Sequence, residues 1–434
     1  MKKRLNHYEL IKERVLLDLI EQINNKKSMR DTETIYASPY YYGNSEDESV
    51  PLERLLERIK GADIQNLYVH VPFCKQECHY CTYPKIIAPD QEQVIDYLRE
   101  LKREISRYKS LFSFSDLKTI HIGGGTPNFF DHQQLEDFLG MITREFPKEK
   151  LEELDIEVSP VGLDEEKLKL ISKYGFNRIS FGIQTFEDKI NRTNGRVGQK
   201  AEEAKRLINI AKRYFPNVSI DLLAGQKGQT EASLERDFEQ ALRLDINSIF
   251  LYQIRQAFGK NGIEEIKALN RFLNYFSEKG YEILSQNHAI KKRNSDGYCE
   301  QREGRGRLEN LLGLGPGAVS EVEGHVFKNL CPGRYLVEES KIEEGSIKLR
   351  KVRNLKAMFL VRSLRYFIRP EINGMLIQDY VDKWSSNPYD DFEEEIKFMR
   401  ENNLIDVSPK KIEVTSKGIL LTQWMDNYLT KHYK

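Results

Sequence analysis

The feature that most narrows what this chain can fold into is a rhythm between residues 66 and 280, where short apolar runs alternate with longer amphipathic stretches. The runs 66–71, 119–122, 154–158, 178–183, 218–223 and 248–252 have the length and near-continuous hydrophobicity of strands covered on both faces. Between them, residues 91–109, 132–144, 165–173, 201–214 and 231–244 carry apolar side chains three and four apart, the period of a helix with one buried face. Parallel neighbours need a crossover connection, so strands each followed by a helix predict an α/β fold, a parallel sheet curling into a partial (β/α)6 barrel. Chemistry in such sheets collects at the C-terminal strand ends. The residues there are Cys74 after the first strand, Gly123 after the second, Glu157 in the third, Gln184 after the fourth, Asp221 in the fifth and Gln253 at the sixth.

Three of the five cysteines lie within eight residues, as Cys74, Cys78 and Cys81. A C-x3-C-x2-C triplet offers three thiolates and lacks a fourth ligand. A 4Fe-4S cluster so held keeps one iron open to an exogenous ligand. A structural zinc site would need four ligands, and His79 adjoins Cys78 too closely to serve as the fourth. The three could also be unrelated core thiols. Cys299 and Cys331 read as packing residues. The sparse, odd cysteine count argues against a disulfide framework and for a reducing cytoplasm.

Gly123-Gly124-Gly125-Thr126-Pro127 follows the second strand, where missing Cβ atoms let a ligand approach backbone amides and carbonyls. It would lie on the same barrel face as the cysteines. Glu157 and Asp221 stand in otherwise apolar strands, where a carboxylate needs donors: a ligand's hydroxyl or amino groups, or an internal Arg178 or Arg196. Arg196 could grip a ligand carboxylate bidentately or be a solvated loop arginine. Tyr36 and Tyr40–Tyr42 read as stapling an extension to the core.

The organisation expected is an N-terminal extension (1–65) with a helix over 8–25, the barrel (66–280), a barrel-capping segment (281–350) with Gly-rich loops at 304–306 and 313–317, and a C-terminal domain (351–434) that is small and mainly helical, of possible winged-helix form. A β-turn unit is expected at 411–418. Lys+Arg and Asp+Glu are 67 each, a balance that argues against a nucleic-acid partner. No run approaches the roughly 20 apolar residues of a membrane span, and the N-terminus lacks a signal peptide's apolar core, so the expectation is a cytoplasmic protein without a membrane partner.

These runs together resemble the radical S-adenosylmethionine superfamily, and within it the oxygen-independent coproporphyrinogen III oxidase-like family. The matching segments are Tyr-Val-His-Val-Pro-Phe-Cys (68–74), His-Ile-Gly-Gly-Gly-Thr-Pro (121–127), Ile-Glu-Val-Ser-Pro (156–160), Gly-Phe-Asn-Arg-Ile-Ser-Phe-Gly-Ile-Gln-Thr-Phe (175–186), Ser-Ile-Asp-Leu-Leu (219–223) and Leu-Gly-Leu-Gly-Pro-Gly-Ala-Val-Ser (312–320). The resemblance implies a 4Fe-4S cluster on Cys74, Cys78 and Cys81, and S-adenosylmethionine on its open iron. It implies contacts to that S-adenosylmethionine from Tyr68, Gly124, Glu157 and Val319. A second S-adenosylmethionine would meet Tyr80, Gly125, Thr126, Gln184, Arg196, Asp221 and Gln253. It further implies a small-molecule substrate and a low-potential electron donor such as flavodoxin or ferredoxin.

Two departures bear on the reaction. Tyr83 stands where the coproporphyrinogen oxidases carry a further cysteine, and Gly225-Gln-Lys-Gly228 replaces a Gly-Leu-Pro-Gly turn. The paired-site residues without that cysteine lead to the expectation of a class C methyltransferase or cyclopropanase, in which the second S-adenosylmethionine donates a methylene to an sp2 carbon. The alternatives are a tetrapyrrole enzyme, oxidising coproporphyrinogen or opening haem, and a haem chaperone with His288 or His325 as axial ligand.

Overall fold

The computed structural model describes residues 11, 45–48, 52–147, 149–254, 263–291, 307–337, 349–352, 355–366, 374–422 and 425. The expected helix at 8–25 (apart from Ile11), the tyrosines 36 and 40–42, Cys299 and the loop 304–306 lie outside these residues.

The six expected strands form as β1 (Asn66–Val71), β2 (Thr119–Gly124), β3 (Glu153–Val158), β4 (Arg178–Gln184), β5 (Asn217–Ala224) and β6 (Ser248–Gln253), paired in parallel in that order. The crossovers are α1 (Gln91–Leu111), α2 (His132–Glu145), α3 (Glu165–Lys173), α4 (Ala201–Ala211) and α5 (Glu231–Arg243). Their starts are legible because local chemistry fixes them. The Asp90 carboxylate accepts from Gln93 N while the Gln93 side chain accepts from Asp90 N, and Asp131–Gln134 and Thr230–Ser233 repeat this reciprocal cap. The apolar faces close a continuous core in which Leu67, Val69, Ile122, Ile156, Phe181, Ile220 and Leu251 are fully buried.

Residues 281–350, read from the sequence as capping the barrel, contribute strands to both edges of the same sheet. The hairpin Glu282–Ser285 and His288–Ile290 adds to β6, while Leu311–Leu314 runs parallel to β1 and leads into antiparallel Val319–Val322 and His325–Lys328. The strands Leu349–Val352 and Ser45–Glu48 complete a 13-stranded sheet. The C-terminal region packs Leu355–Tyr366, Ile377–Trp384, Glu393–Glu401 and Ser416–Leu420 around a three-stranded antiparallel sheet. The turn expected at Ser416–Gly418 is instead the first turn of a helix, because the Thr415 hydroxyl accepts from Gly418 N at 3.1 Å and caps it. Among the described residues no helix is long and apolar enough to cross a membrane.

Candidate functional site

The cysteines occupy the loop between β1 and α1. Both ends of that loop are fixed by the barrel. His70, on β1, accepts from the Tyr68 hydroxyl at Nδ1 (2.9 Å) and donates from Nε2 to Pro84 O (2.8 Å). Burial holds its pKa below the ordinary value, which suits a neutral ring with one donor and one acceptor nitrogen. At the far side, His79 N donates to Asn194 O at 3.0 Å, and Gln76 Oε1 accepts from Val197 N at 2.9 Å. Gly195, at φ +82, sits so close to Glu77 O that a side chain there would collide. Asn194 in turn exchanges hydrogen bonds with Lys227, tying in the loop after β5.

All three thiols are free and half-buried. Cys74 Sγ lies 3.6 Å from Thr126 Oγ1, and burial, reinforced by the other two sulfurs, pushes its pKa up. The Arg196 guanidinium points at Cys78 Sγ (3.9 Å) and is braced by Gln199 Oε1 (2.7 Å), Gly182 O (2.5 Å) and Ser159 Oγ (3.3 Å). Lys85 donates to Cys81 O at 2.8 Å. The Tyr80 hydroxyl is buried beside Cys78 and Arg196 with no hydrogen-bond partner among the described residues. A buried hydroxyl so placed is a donor a ligand could use. Gly125 closes the cradle: a Cβ there would stand 2.7 Å from Phe73 O and 3.0 Å from Cys74 Sγ. Three soft sulfur donors, two neighbouring cations and a glycine-lined wall fit an iron–sulfur cluster.

A second group lines the barrel interior on alternate strand positions. His121 puts Nδ1 on Asp155 Oδ2 (2.7 Å) and Nε2 on Glu157 Oε1 (3.2 Å), and its ring stacks on Tyr68 at 5.7 Å between centroids. Burial alone would lower its pKa, but Asp155 and then Glu157 override this and lift it to about 10, so the ring is an imidazolium. Arg178, 1% exposed, sets Nε 3.9 Å from Asp155 Oδ2 and donates to Ser248 Oγ at 3.4 Å. Ser248 Oγ meets His288 Nε2 at 2.6 Å, and His288 stacks on Phe250 at 3.9 Å. Two cations thus balance Asp155 and Glu157. Asp221 is the odd carboxyl, half-buried with no hydrogen bond or ion pair among the described residues. Burial, followed by Glu157 and Asp155, raises its pKa to about 8.

The sign of Asp221's effect follows. The unfolded chain loses this proton near the ordinary value of 3.8 and the folded chain only near 8, so between these pH values the folded state holds more protons and stability falls as pH rises. Asp221→Asn is expected to make the ligand-free protein more stable than wild type at pH 8, with the gap closing toward pH 4, as urea unfolding midpoints would report.

The structure therefore brings together Cys74, Cys78, Cys81, Tyr80, Gly125, Thr126 and Arg196 in one group, and Tyr68 and Glu157 in another beside it, with Asp221 on the next strands. Gly124, at φ +115, presses on Val71 O and the His70 ring. Gln184 has φ +68 at a register shift in β4, a strained end braced by Gln199 Nε2 on Ile183 O and Gln226 Nε2 on Gln184 O. The Gln253 amide donates to Leu251 O at 3.1 Å, and the Val319 backbone packs against Gly313, the residue paired with Tyr68 of β1. His288 is buried in the sheet and His325 Nδ1 donates locally to Glu323 O at 2.9 Å, so neither is presented as an axial ligand. Sequence reasoning missed His70, His121, Asp155 and Lys85. Polar residues in otherwise apolar strands (His121 in β2, Asp155 and Glu157 at alternate positions of β3) are the available signal for the inner pair.

Known proteins resemble this chain in sequence and in fold. Residues 68–241 match the model of the Radical SAM superfamily. The chain is 29% identical over 381 residues to the Bacillus subtilis haem chaperone HemW, covering 82% of this chain and 97% of that protein. It is 26% identical over 390 residues to the Escherichia coli oxygen-independent coproporphyrinogen III oxidase, covering 82% and 83%. The solved Escherichia coli coproporphyrinogen III oxidase (HemN) superposes with a TM-score of 0.76 at 21% identity, over 98% of this chain and all of that one, which is a likeness of fold. None of these relatives supports the methyl-transfer or cyclopropanation chemistry expected from the sequence.

Proposed function

Because this chain belongs to the radical S-adenosylmethionine superfamily, in its coproporphyrinogen oxidase-like branch, with a 4Fe-4S cluster and S-adenosylmethionine as cofactors, we propose that it directs S-adenosylmethionine cleavage at a tetrapyrrole substrate. The observation that supports the cleavage half is a loop of three free, half-buried cysteines whose first sulfur lies against the Gly125 wall, with the Glu157–His121 pair on the neighbouring strands. The tetrapyrrole half rests on what the two named relatives handle, a haem chaperone and a coproporphyrinogen oxidase.

In this reading Cys74, Cys78 and Cys81 would hold the cluster and leave one iron available to S-adenosylmethionine. When bound, the cluster supplies the single electron that breaks a carbon–sulfur bond of S-adenosylmethionine and so starts hydrogen abstraction from the substrate. The chain's own residues orient and shield. Glu157, whose side chain is 42% exposed, accepts from His121 Nε2 at 3.2 Å and is placed to accept from an amino group as well. Gly123 keeps it there, since a Cβ at that position would lie 2.8 Å from Glu157 Oε2. Arg196 and the unpartnered Tyr80 hydroxyl offer donors to a carboxylate. Asp221 offers a carboxyl that ionises once a cationic ligand arrives.

The test is anaerobic reconstitution with reductant and S-adenosylmethionine, with and without coproporphyrinogen III or haem. The expected result is 5′-deoxyadenosine whose formation rises at least about tenfold with the tetrapyrrole, about 1.4 kcal/mol of barrier. No S-adenosylhomocysteine should accompany it. S-adenosylhomocysteine as co-product, with no response to tetrapyrrole, would restore the methylene-transfer reading and remove this one.

A further inference from the structure

We propose that Lys85 sets the reduction potential of the cluster: its ammonium, held inside the cysteine loop, favours the reduced state of a 4Fe-4S group on Cys74, Cys78 and Cys81. This rests on the reading of the three thiols given above and goes beyond it by assigning a role to a residue outside the ligand and S-adenosylmethionine contacts.

The geometry is that of an under-compensated cation. Lys85 Nζ donates to Cys81 O at 2.8 Å, and its nearest carboxylate, Glu77 Oε1, is 3.8 Å away. The Lys85 side chain is 11% exposed and that of Glu77 is 67% exposed, so the amine has left water while its partner has not. A desolvated ammonium facing one carbonyl and one solvated carboxylate is costly unless another negative charge lies close. A cluster on Cys74, Cys78 and Cys81 would provide it, since Lys85 is bonded to the carbonyl of Cys81 itself. Three thiolates around a core of two positive charges leave one net negative charge, and reduction adds a second. A fixed cation beside that site stabilises the reduced state more than the oxidised one. Arg196, 3.9 Å from Cys78 Sγ, acts from the other side but also belongs to the proposed ligand contacts, so Lys85 is the residue on which the effect can be isolated.

The experiment compares reconstituted wild type, Lys85→Gln, Lys85→Arg and Glu77→Gln. Iron and sulfide are counted, and the reduced cluster is followed by electron paramagnetic resonance in a redox titration without S-adenosylmethionine. At the potential where half the wild-type cluster is reduced, Lys85→Gln should show a reduced-to-oxidised ratio about tenfold lower, which is about 59 mV for one electron. Lys85→Arg should stay within about twofold. Glu77→Gln should shift the other way, because Lys85 loses its competing partner. That variant gives a reading even if Lys85→Gln retains too little iron to titrate. An unchanged potential in Lys85→Gln, or an unchanged or lower one in Glu77→Gln, overturns the proposal. Loss of iron from Lys85→Gln and Lys85→Arg alike overturns it too, by assigning Lys85 to the shape of the loop. A wild-type protein that takes up no 4Fe-4S cluster fails the underlying reading instead, so the two failures are distinguishable.

Discussion

Replacing Gly125 by alanine is expected to strip most of the iron from the reconstituted protein and to lower 5′-deoxyadenosine formation by about 100-fold. The added methyl has nowhere to go. It would meet Phe73 O at 2.7 Å, Phe73 N at 3.0 Å and Cys74 Sγ at 3.0 Å, and two of these are backbone atoms of the segment that positions the first cysteine. Relief requires β2 and the cysteine loop to separate by a few tenths of an ångström, which displaces Cys74 relative to Cys78 and Cys81. Core packing is unaffected elsewhere, so the fold should survive and the defect should be local. Gly333→Ala is the control: it is exposed, lies in the helix Pro332–Val337, and a Cβ there has open space. Iron content, circular dichroism and the rate of S-adenosylmethionine cleavage on the two variants decide the matter. Full iron loading in Gly125→Ala would refute the cradle.

Asp155→Ala should cost about 3–5 kcal/mol of stability in the ligand-free protein, the largest loss expected from a single polar truncation here. Asp155, 3% exposed, is the counter-charge to both Arg178 and His121, and it accepts from Ser180 Oγ at 3.3 Å as well. Despite burial, His121 and then Arg178 hold its pKa below the usual carboxylate range. Without it the guanidinium stays charged in a place water does not reach. The double variant Asp155→Ala/Arg178→Met removes both charges and should recover most of the loss, as urea unfolding would show. His121 adds a pH signature. Its pKa is raised from 6.5 to about 10, so its contribution is complete below pH 6.5 and is lost as pH rises through 10. In Asp155→Ala that loss should begin at lower pH. An additive double variant, or a pH dependence identical to wild type, would contradict the network.

Much of the barrel was legible because two local signals agree along it. Buried parallel strands read as apolar runs, and Asp90, Asp131, Asp164 and Thr230 announce the helix starts that follow. The residues after each strand were legible for the same reason, since a parallel sheet puts them on one rim. What was not legible depends on register and on distant partners. His121 faces Asp155 only because β2 and β3 pair with those two residues opposite each other. The strands between 282 and 328 are three or four residues long and pair with β1, β6 and one another, so no local periodicity marks them. Nothing local sets Lys85 apart from the chain's other lysines; its 11% exposure and its bond to Cys81 O come from the folded loop. Gln253 matched by position alone, and its side chain turns to its own strand.

The chain partners of the cysteine loop come from far along the sequence: Asn194, Arg196 and Val197 lie 115, 118 and 121 residues beyond His79, Cys78 and Gln76 by the recorded contacts. A ribosome-bound fragment that ends before Asn194 therefore lacks the clamp that arranges the sulfurs. The sulfurs thus take their places only after the chain has been made past Val197, well over a hundred residues beyond the loop that carries them.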